Sequence, residues 1–270
     1  MDIELQTDVI ICGDNCEVMR RMPSESIDLV VTSPPYDDLR TYGGHSWDFE
    51  GVAQQLWRLI KPGGVVVWIV NDATVNGSET GTSFRQALRF MEIGFRLHDT
   101  MIYSRDGCRF PEINRYYPVW EYMFVFSKSA PCCVNLIQDR RNLRAGDSLN
   151  SCTQREKDGT LQAVSASRVA RDRVIKEYGV RFNIWTYNCG NGKSTSDSIA
   201  FDHPAIFPES LARDHILSWS NEGDIVLDPF SGSGTTAKMA KHNGRKYIGI
   251  EVNPEYVEIS LKRLEQGVLF

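Results

Sequence analysis

The 270-residue sequence has 30 Lys and Arg against 35 Asp and Glu, and its 41% hydrophobic residues are enough for a large buried core. No run approaches the roughly 18 apolar residues of a membrane span, and the acidic start at Asp2 and Glu4 lacks the basic region of a signal peptide. Seven cysteines without a Cys-x-x-Cys pair argue against a disulfide framework and a structural zinc site. We therefore expect a soluble, cytoplasmic protein with reduced thiols and no metal.

Charge is distributed unevenly along the chain, whose formal net charge is −5. Residues 139–198 carry 11 Lys and Arg against 7 Asp and Glu, a net +4, which leaves −9 for the remainder. The sequence therefore predicts a basic segment within an otherwise acidic protein.

The chain begins with two predicted strands, each followed by a distinctive turn. The first, Thr7–Cys12, ends at Gly13-Asp14, and open α/β sheets hold their ligands at such strand ends. Asp14 is therefore either a cofactor ligand or the N-cap of the helix that follows. The second strand, Ile27–Thr32, stops at Ser33-Pro34-Pro35-Tyr36.

The Ser33-Pro34-Pro35-Tyr36 corner combines hydrogen-bond acceptors with an aromatic ring. Neither proline has a backbone N–H, and both fix φ near about −65°. The carbonyls around them are therefore acceptors held with little freedom. The Ser33 hydroxyl and the Tyr36 ring add a further acceptor and a stacking face.

Helices and strands continue to alternate up to about residue 130, which predicts an α/β fold. The predicted elements are a helix over Phe49–Ile60, a strand over Val65–Val70, a helix over Ser83–Ile93, and strands over Arg96–Ser104 and Glu121–Phe126.

The alternation fades between residues 131 and 198, where Ser, Asn, Gly and Arg are frequent. We predict an insertion over 131–198 and a core formed by 1–130 and 199–270. Basic residues in the insertion are interleaved with Tyr178, Phe182, Trp185 and Tyr187. This combination favours contacts with phosphates and bases, although a solvated basic surface has a similar composition.

A glycine-rich turn follows the strand predicted over Asp224–Leu227 and leads into a helix at Ala237. The turn has the sequence Asp228-Pro229-Phe230-Ser231-Gly232-Ser233-Gly234-Thr235-Thr236. Lys238 lies too far from Gly234 for a phosphate-binding Gly-x-x-x-x-Gly-Lys-Ser/Thr loop. The next strand ends in Glu251, 23 positions after Asp228, a spacing that resembles sites where a carboxylate meets ribose hydroxyls. The turn therefore predicts a nucleotide-like cofactor.

The corner and the turn together resemble the motifs of the beta group of DNA amino-methyltransferases. In that family an Asp/Asn/Ser-Pro-Pro-Tyr/Phe tetrapeptide is catalytic and a Phe-x-Gly-x-Gly motif binds S-adenosylmethionine, with a target-recognition region between them. This chain has the same order, with the basic insertion in the middle. Gly13-Asp14 and His203-Pro204-Ala205 resemble further family motifs. The resemblance covers about residues 7–264 apart from the insertion.

The resemblance implies a Rossmann-like S-adenosylmethionine-dependent methyltransferase sheet with a basic target-recognition insertion. It implies that Ser33, Pro34, Pro35 and Tyr36 are catalytic. It also implies that the cofactor is bound by Asp14, His203, Asp228, Phe230, Ser231, Gly232, Ser233, Gly234, Thr235 and Glu251. Duplex DNA is the implied partner and a homodimer is expected by analogy, while no motif indicates a restriction endonuclease partner.

Methylation of an exocyclic amino group requires hydrogen-bond acceptors of the kind that the corner offers. An exocyclic amino nitrogen is a poor nucleophile because its lone pair is delocalised into the ring. Acceptors for its two N–H groups favour a pyramidal nitrogen with a localised pair, and the Ser33 hydroxyl and Pro34 carbonyl are suitable acceptors. Tyr36 would stack on the extruded base.

Three alternatives accompany this interpretation. A Ser-first tetrapeptide is associated in the family mostly with cytosine, so cytosine N4 is favoured over adenine N6, although both amino groups present the same two donors. Pro131-Cys132 resembles the nucleophilic dipeptide of enzymes that methylate the cytosine ring carbon, which requires a thiolate. A non-catalytic DNA-binding regulator on a methyltransferase fold is the third.

Overall fold

The computed structural model describes residues 5–36, 47–107, 113–147, 153–163, 174–190, 192–203 and 205–266. The strands in these ranges are β1 (Val9–Cys12), β2 (Ile27–Thr32), β3 (Ile60–Val70), β4 (Thr74–Val75), β5 (Ser78–Glu79), β6 (Arg96–Arg105), β7 (Trp120–Ser127), β8 (Arg140–Arg141), β9 (Thr153–Arg155), β10 (Leu161–Ala163), β11 (Tyr178–Gly179), β12 (Ile184–Tyr187), β13 (Ile225–Asp228) and β14 (Lys246–Glu251). The α-helices are α1 (Asn15–Arg21), α2 (Phe49–Leu59), α3 (Thr82–Ile93), α4 (Glu209–Trp219), α5 (Thr235–His242) and α6 (Pro254–Glu265), and a 3-10 helix spans Ser198–Asp202.

Eight of these strands form one mixed sheet in the order β1-β14-β13-β2-β3-β7-β6-β12. Neighbouring strands in this sheet run parallel, except that β7 is antiparallel to both β3 and β6. Helices alternate with the parallel strands along the chain. The predicted α/β class with a largely parallel sheet is confirmed.

The chain leaves the adjacent strands β2 and β13 in opposite directions across the sheet. From β2 it passes through α2 to β3, whereas from β13 it passes through α5 to β14 on the other side. Open α/β sheets bind ligands at such a reversal point, outside the carboxyl ends of the strands. The fold therefore indicates a ligand site at the residues that follow β2 and β13.

The middle of the sheet is buried on both faces. Val65–Val70 of β3 are at most 2% exposed, which explains why this segment is a continuous apolar run. Helix α2 buries four apolar residues along one face. The indole N–H of Trp68 donates to Gln86 Oε1 at 2.9 Å, and its ring lies 5.1 Å from that of Phe90, so this buried ring has both a polar partner and close packing.

The structure differs from the sequence prediction at two elements of the main unit, β3 and α6. Strand β3 begins at Ile60 instead of Val65, because Ile60 already pairs with Ile27 of β2. A register shift between Ile27 and Leu29 accommodates the additional residues Lys61–Gly64 in β3. Helix α6 was not predicted, although Asn253 caps it and Pro254 occupies its first turn.

The chain divides into two compact units, residues 1–135 with 183–270, and residues 136–182. The predicted insertion, 131–198, is longer than the second unit at both ends. The largest difference is at β12, which pairs in parallel with β6 in the main sheet. With only four residues between polar segments, β12 gives a weak strand signal.

The second unit, residues 136–182, contains two short antiparallel pairs, β8 with β11 and β9 with β10. The Arg140 guanidinium lies 4.4 Å from the centre of the Phe182 ring, and Arg181 forms an ion pair with Asp139. This stretch of sequence has ten Lys and Arg against six Asp and Glu. Its role in target recognition is still a prediction.

None of the helices in the described ranges combines the length and apolar character that crossing a membrane requires.

Candidate active site

The Ser33-Pro34-Pro35-Tyr36 corner follows directly on the buried end of β2. Ser33 Oγ lies 2.9 Å from Tyr36 Oη, and Tyr36 Oη donates a hydrogen bond to Glu121 Oε2 at 2.8 Å. Glu121 belongs to β7, two strands away from β2, and its carboxylate lies 3.6 Å from the Arg105 guanidinium. A hydrogen bond thus connects the corner to β7, a strand in which the sequence showed no motif of the site.

A buried hydrogen bond joins this corner to the glycine-rich turn. Thr32 Oγ1, at the end of β2, donates to Asp228 Oδ1, at the end of β13, over 2.7 Å. The Phe230 amide donates to the same oxygen at 3.0 Å. Because β2 and β13 are neighbours in the sheet, this contact holds the starts of the two motifs side by side.

Burial dominates the chemistry of the Asp228 carboxyl, which is 2% exposed. Desolvation raises the pKa of Asp228 from 3.8 to about 6, and the charge of Glu251 adds to the rise. Hydrogen bonds from Thr32 and the Phe230 amide act in the opposite direction. Asp228 is therefore a structural acceptor at the base of the site.

The glycine-rich turn needs both of its glycines. Gly232 and Gly234 have φ values of +48° and +77°, a region that residues with a Cβ rarely adopt. A Cβ on Gly232 would lie 2.9 Å from His203 Nε2, and one on Gly234 would lie 2.9 Å from the Ser260 side chain. The His203 ring also packs 4.3 Å from Tyr256, so His203 covers the turn from one side.

Glu251 lies at the end of β14, as the predicted strand indicated. Its Oε2 accepts a hydrogen bond from the Gly232 amide at 2.9 Å, and its Oε1 accepts one from the Asn253 amide at 2.9 Å. Two backbone donors therefore fix the orientation of this carboxylate beside the turn.

Asp14 is the N-cap of α1, since its Oδ1 accepts a hydrogen bond from the Glu17 amide at 2.9 Å. The capping role that the sequence left open is thus present, and Asp14 also lines the cleft described below. The neighbouring Asn15 donates to the Pro229 carbonyl at 3.1 Å. Asn15 carried no sequence signal because its partner lies in a distant turn.

A cleft of about 1030 Å³ lies at these strand ends. Its lining includes most of the predicted site residues, namely Asp14, Ser33, Pro34, Pro35, Tyr36, His203, Phe230, Ser231, Gly232, Ser233, Thr235 and Glu251. Asp228 and Gly234 do not line it. The cleft therefore brings the corner and the turn to one space.

The lining of the cleft has more carboxylates than cations. Among the described residues it contains Asp14, Asp72, Glu79, Glu121 and Glu251 against Arg105 and Arg115. One wall is aromatic, with the ring centre of Phe230 lying 4.9 Å from that of Trp47. An acidic cleft with an aromatic wall favours a cationic ligand that carries an aromatic group.

A buried ionic cluster braces the glycine-rich turn, and no sequence motif predicted it. Arg263 is completely buried and donates to the Ser233 carbonyl at 2.6 Å. Its other nitrogens contact Asp197 at 3.1 Å and Glu209 at 2.7 Å, and Lys238 contacts the same two carboxylates at 2.6 and 2.8 Å. Burial opposes ionisation of Asp197, but the hydrogen bonds from Lys238 and Arg263 outweigh it and lower the pKa of this carboxyl.

Cys132, the thiol of the alternative ring-carbon chemistry, lies at the opposite end of the sheet. Its amide donates to the Gly63 carbonyl at 2.9 Å, near the start of β3, whereas the cleft lies at the carboxyl ends of β2 and β13. Cys132 does not line the cleft. This placement argues against Cys132 as a nucleophile for a base held beside Ser33.

Known proteins resemble this chain over most of its length. The N6_N4_Mtase family model, described as DNA methylase, matches residues 27–262. The orphan methyltransferase M.BamHII of Bacillus amyloliquefaciens is 58% identical over 245 residues, which span 90% of this chain and 91% of the relative. The DNA adenine methyltransferase YhdJ of Escherichia coli K12 is 28% identical over 267 residues, which span 95% of this chain and 82% of the relative.

Solved methyltransferase structures share the fold. The cytosine-N4-specific PvuII DNA methyltransferase superimposes with a TM-score of 0.69 at 22% identity, covering 98% of this chain and 89% of that chain. The M1.HpyAVI–SAM complex superimposes with a TM-score of 0.61 at 22% identity, covering 94% and 98% respectively. The predicted Rossmann-like methyltransferase sheet is thereby confirmed.

The raised pKa of Asp228 predicts how the free energy of unfolding depends on pH. The unfolded chain releases this proton near pH 3.8, whereas the folded protein holds it up to about pH 6, so the folded state binds more protons in between. The free energy of unfolding of the unmodified protein, minus that of Asp228→Asn, should fall as the pH rises from about 4 to about 6 and then level off. Urea titrations across this range measure the difference. A difference that is constant or that rises would contradict the assignment.

Proposed function

This chain belongs to the DNA methylase family, and on that premise we propose that it transfers a methyl group from S-adenosylmethionine to the N4 amino group of a cytosine extruded from duplex DNA. One observation carries the proposal: a single cleft is lined by both the Ser33-Pro34-Pro35-Tyr36 corner and the glycine-rich turn. The reaction requires an amino-group site and a methyl-donor site within bonding reach of each other.

Ser33 and Pro34 supply the acceptors for the amino group. The Ser33 hydroxyl has two lone pairs, and the Pro34 carbonyl belongs to a segment in which neither proline can donate a competing backbone hydrogen bond. Two acceptors aimed at the two N–H groups draw the nitrogen lone pair out of the ring. The amino nitrogen thereby becomes nucleophilic without a covalent enzyme intermediate.

The residues around the turn offer polar groups suited to S-adenosylmethionine. Ser231 Oγ is buried and has no hydrogen-bond partner among the described residues, as expected for a polar atom whose partner is a bound ligand. Glu251 is held beside the turn by hydrogen bonds from two backbone amides. We assign Glu251 to the ribose hydroxyls, Asp14 to the adenine, and the Phe230–Thr235 turn to the methionine moiety.

S-adenosylmethionine, when bound, supplies an electrophilic methyl group on a positively charged sulfur. The excess of carboxylates in the cleft lining complements that charge. Phe230 and Trp47 provide an apolar wall for a purine ring.

Tyr36 is suited to hold the extruded base. Its hydroxyl is anchored at 2.9 Å from Ser33 and 2.8 Å from Glu121, so the ring has a fixed position in the cleft. Stacking on an aromatic ring is worth about 1–3 kcal/mol, comparable with the few kcal/mol that extrusion costs. The base would otherwise be unreachable inside the duplex.

The basic second unit is the part of the chain best suited to the DNA backbone. Its ten Lys and Arg outnumber its six Asp and Glu, whereas the cleft lining is acidic. By charge, the second unit is therefore suited to bind DNA phosphates, and the cleft is suited to bind the cationic methyl donor.

The choice of cytosine rests on Ser33, because tetrapeptides that begin with Ser are associated mostly with cytosine in the family this sequence resembles. Adenine N6 is the competing acceptor, and the 28% identical YhdJ is named as a DNA adenine methyltransferase. The two amino groups offer the same two donors, so only the product distinguishes them.

Mass spectrometry of the product nucleosides tests the activity and the base together. The protein is incubated with mixed-sequence duplex DNA and S-adenosylmethionine labelled in its methyl group. We expect N4-methyldeoxycytidine. N6-methyldeoxyadenosine would overturn the choice of base, and 5-methyldeoxycytidine would overturn the amino-group chemistry. DNA binding without any label in DNA would support a non-catalytic regulator.

Replacing Ser33 by Ala should slow methylation by about 100-fold, the order expected for the loss of one preorganised hydrogen-bonding group. The dissociation constant for S-adenosylmethionine should be unchanged, because we assign the cofactor to the glycine-rich turn and not to Ser33. Single-turnover rates and isothermal titration measure the two quantities. Ser24→Ala, in an exposed turn, is the matched control. A parallel loss of cofactor affinity would count against the role of Ser33.

A further inference from the structure

We propose that Glu121 is a positioning residue that fixes the direction of the hydrogen bond between Tyr36 and Ser33, so that Ser33 meets the amino group as an acceptor. The inference rests on the proposed function, since it concerns how Ser33 presents its lone pairs to the substrate. It adds a residue from outside both motifs to the machinery of the corner.

The direction of the hydrogen bonds follows from counting hydrogens. An ionised carboxylate only accepts, so the single hydroxyl hydrogen of Tyr36 is directed at Glu121 Oε2, 2.8 Å away. Tyr36 Oη is then an acceptor toward Ser33 at 2.9 Å, and the single hydroxyl hydrogen of Ser33 points at Tyr36. The two lone pairs of Ser33 Oγ therefore point away from Tyr36, and Ser33 meets other groups as a hydrogen-bond acceptor.

This direction matters because a hydroxyl is otherwise ambivalent. Without a fixed partner, the Ser33 hydrogen is able to rotate toward the amino group of the base. There it would either oppose the N–H hydrogens or donate to the nitrogen lone pair, which is the pair that must attack the methyl group. Fixing the hydrogen on Tyr36 removes both orientations.

Glu121 is itself held in place and charge-compensated. Its side chain is 14% exposed and lies 3.6 Å from the Arg105 guanidinium. Arg105 in turn donates to the Pro118 carbonyl at 2.6 Å. A partly buried carboxylate beside a fixed cation is a stable end point for a hydrogen-bond chain.

The antiparallel direction of β7 explains how Glu121 reaches the corner. Tyr122 of β7 pairs with Val70 at the carboxyl end of β3, so the first residues of β7 lie at the edge of the sheet where β2 ends. Glu121 is the one carboxylate within β7, whose other residues are mainly aromatic or apolar. A charge at this position is costly in a sheet unless it has a partner, and Tyr36 and Arg105 are its partners.

A double-mutant cycle between Glu121 and Ser33 tests the proposal. Glu121→Gln keeps the shape of the side chain but can donate to Tyr36 and so reverse the chain. We expect it to slow single-turnover methylation by about tenfold, the equivalent of one ordinary hydrogen bond. In a Ser33→Ala background the same change should have no further effect, because the hydroxyl that it orients is gone. Tyr36→Phe breaks the same chain without altering Glu121 and should also mask Glu121→Gln.

A second readout does not depend on activity. In protein labelled with 13C at the tyrosine Cζ, the resonance that disappears in Tyr36→Phe should move in Glu121→Gln, because the hydroxyl changes its partner. The affinity for S-adenosylmethionine should be unchanged. Glu222→Gln, an exposed carboxyl outside the cleft lining, makes the same change of charge and should leave both the rate and the resonance unaltered.

The outcomes separate the inference from the proposed function. If Ser33→Ala slows methylation while Glu121→Gln does not, or if the two losses multiply independently, the positioning role is overturned and the proposed function stands. An unmoved Tyr36 resonance in Glu121→Gln also overturns the positioning role. If Ser33→Ala leaves the rate unchanged, the acceptor role of Ser33 fails and the positioning role of Glu121 fails with it, whereas the proposed function fails only if no N4-methyldeoxycytidine is formed.

Discussion

The hydrogen bond between Thr32 and Asp228 is the contact on which the rest of the site depends. It joins the ends of two adjacent parallel strands at 2.7 Å, and both side chains are almost fully buried. Neighbouring strands lie only about 4.8 Å apart, so the two motifs that continue from these strands begin within one strand spacing of each other. The separation between the proposed amino-group site and the proposed methyl-donor site is therefore set by the spacing of strands in the sheet. It does not depend on the length of the chain connections between them.

Long-range polar contacts then hold each motif in its working shape. The corner is tied to Glu121 through Tyr36, and the glycine-rich turn is tied to Arg263 through the Ser233 carbonyl. Buried charges stabilise a structure only when they are paired, and here each cation has two carboxylate partners in Asp197 and Glu209. Rigid support on both sides suits a reaction in which small displacements of the reacting atoms are costly.

The sequence predicted the features that depend on residues close to one another along the chain. The corner, the glycine-rich turn and the strand that ends in Glu251 each have a local pattern of prolines, glycines or apolar residues, and each is found where it was expected. Glu121 was not anticipated because its partner, Tyr36, is 85 positions away, and Asn15 is 214 positions from the Pro229 carbonyl. The Asp197–Arg263 cluster likewise joins separate elements. Strand β12 was assigned to the insertion because its four residues carry too little periodicity to be recognised.

The central claim is that Ser33 and Pro34 accept the N–H groups of an extruded base beside the methyl-donor site. A crystal structure of the protein with duplex DNA and S-adenosylhomocysteine tests it most directly. The account predicts a base outside the helix, its ring against Tyr36, with its amino nitrogen about 3 Å from both Ser33 Oγ and the Pro34 carbonyl oxygen. A base that remains stacked in the duplex, or an amino nitrogen bound to other groups of the cleft, would contradict it.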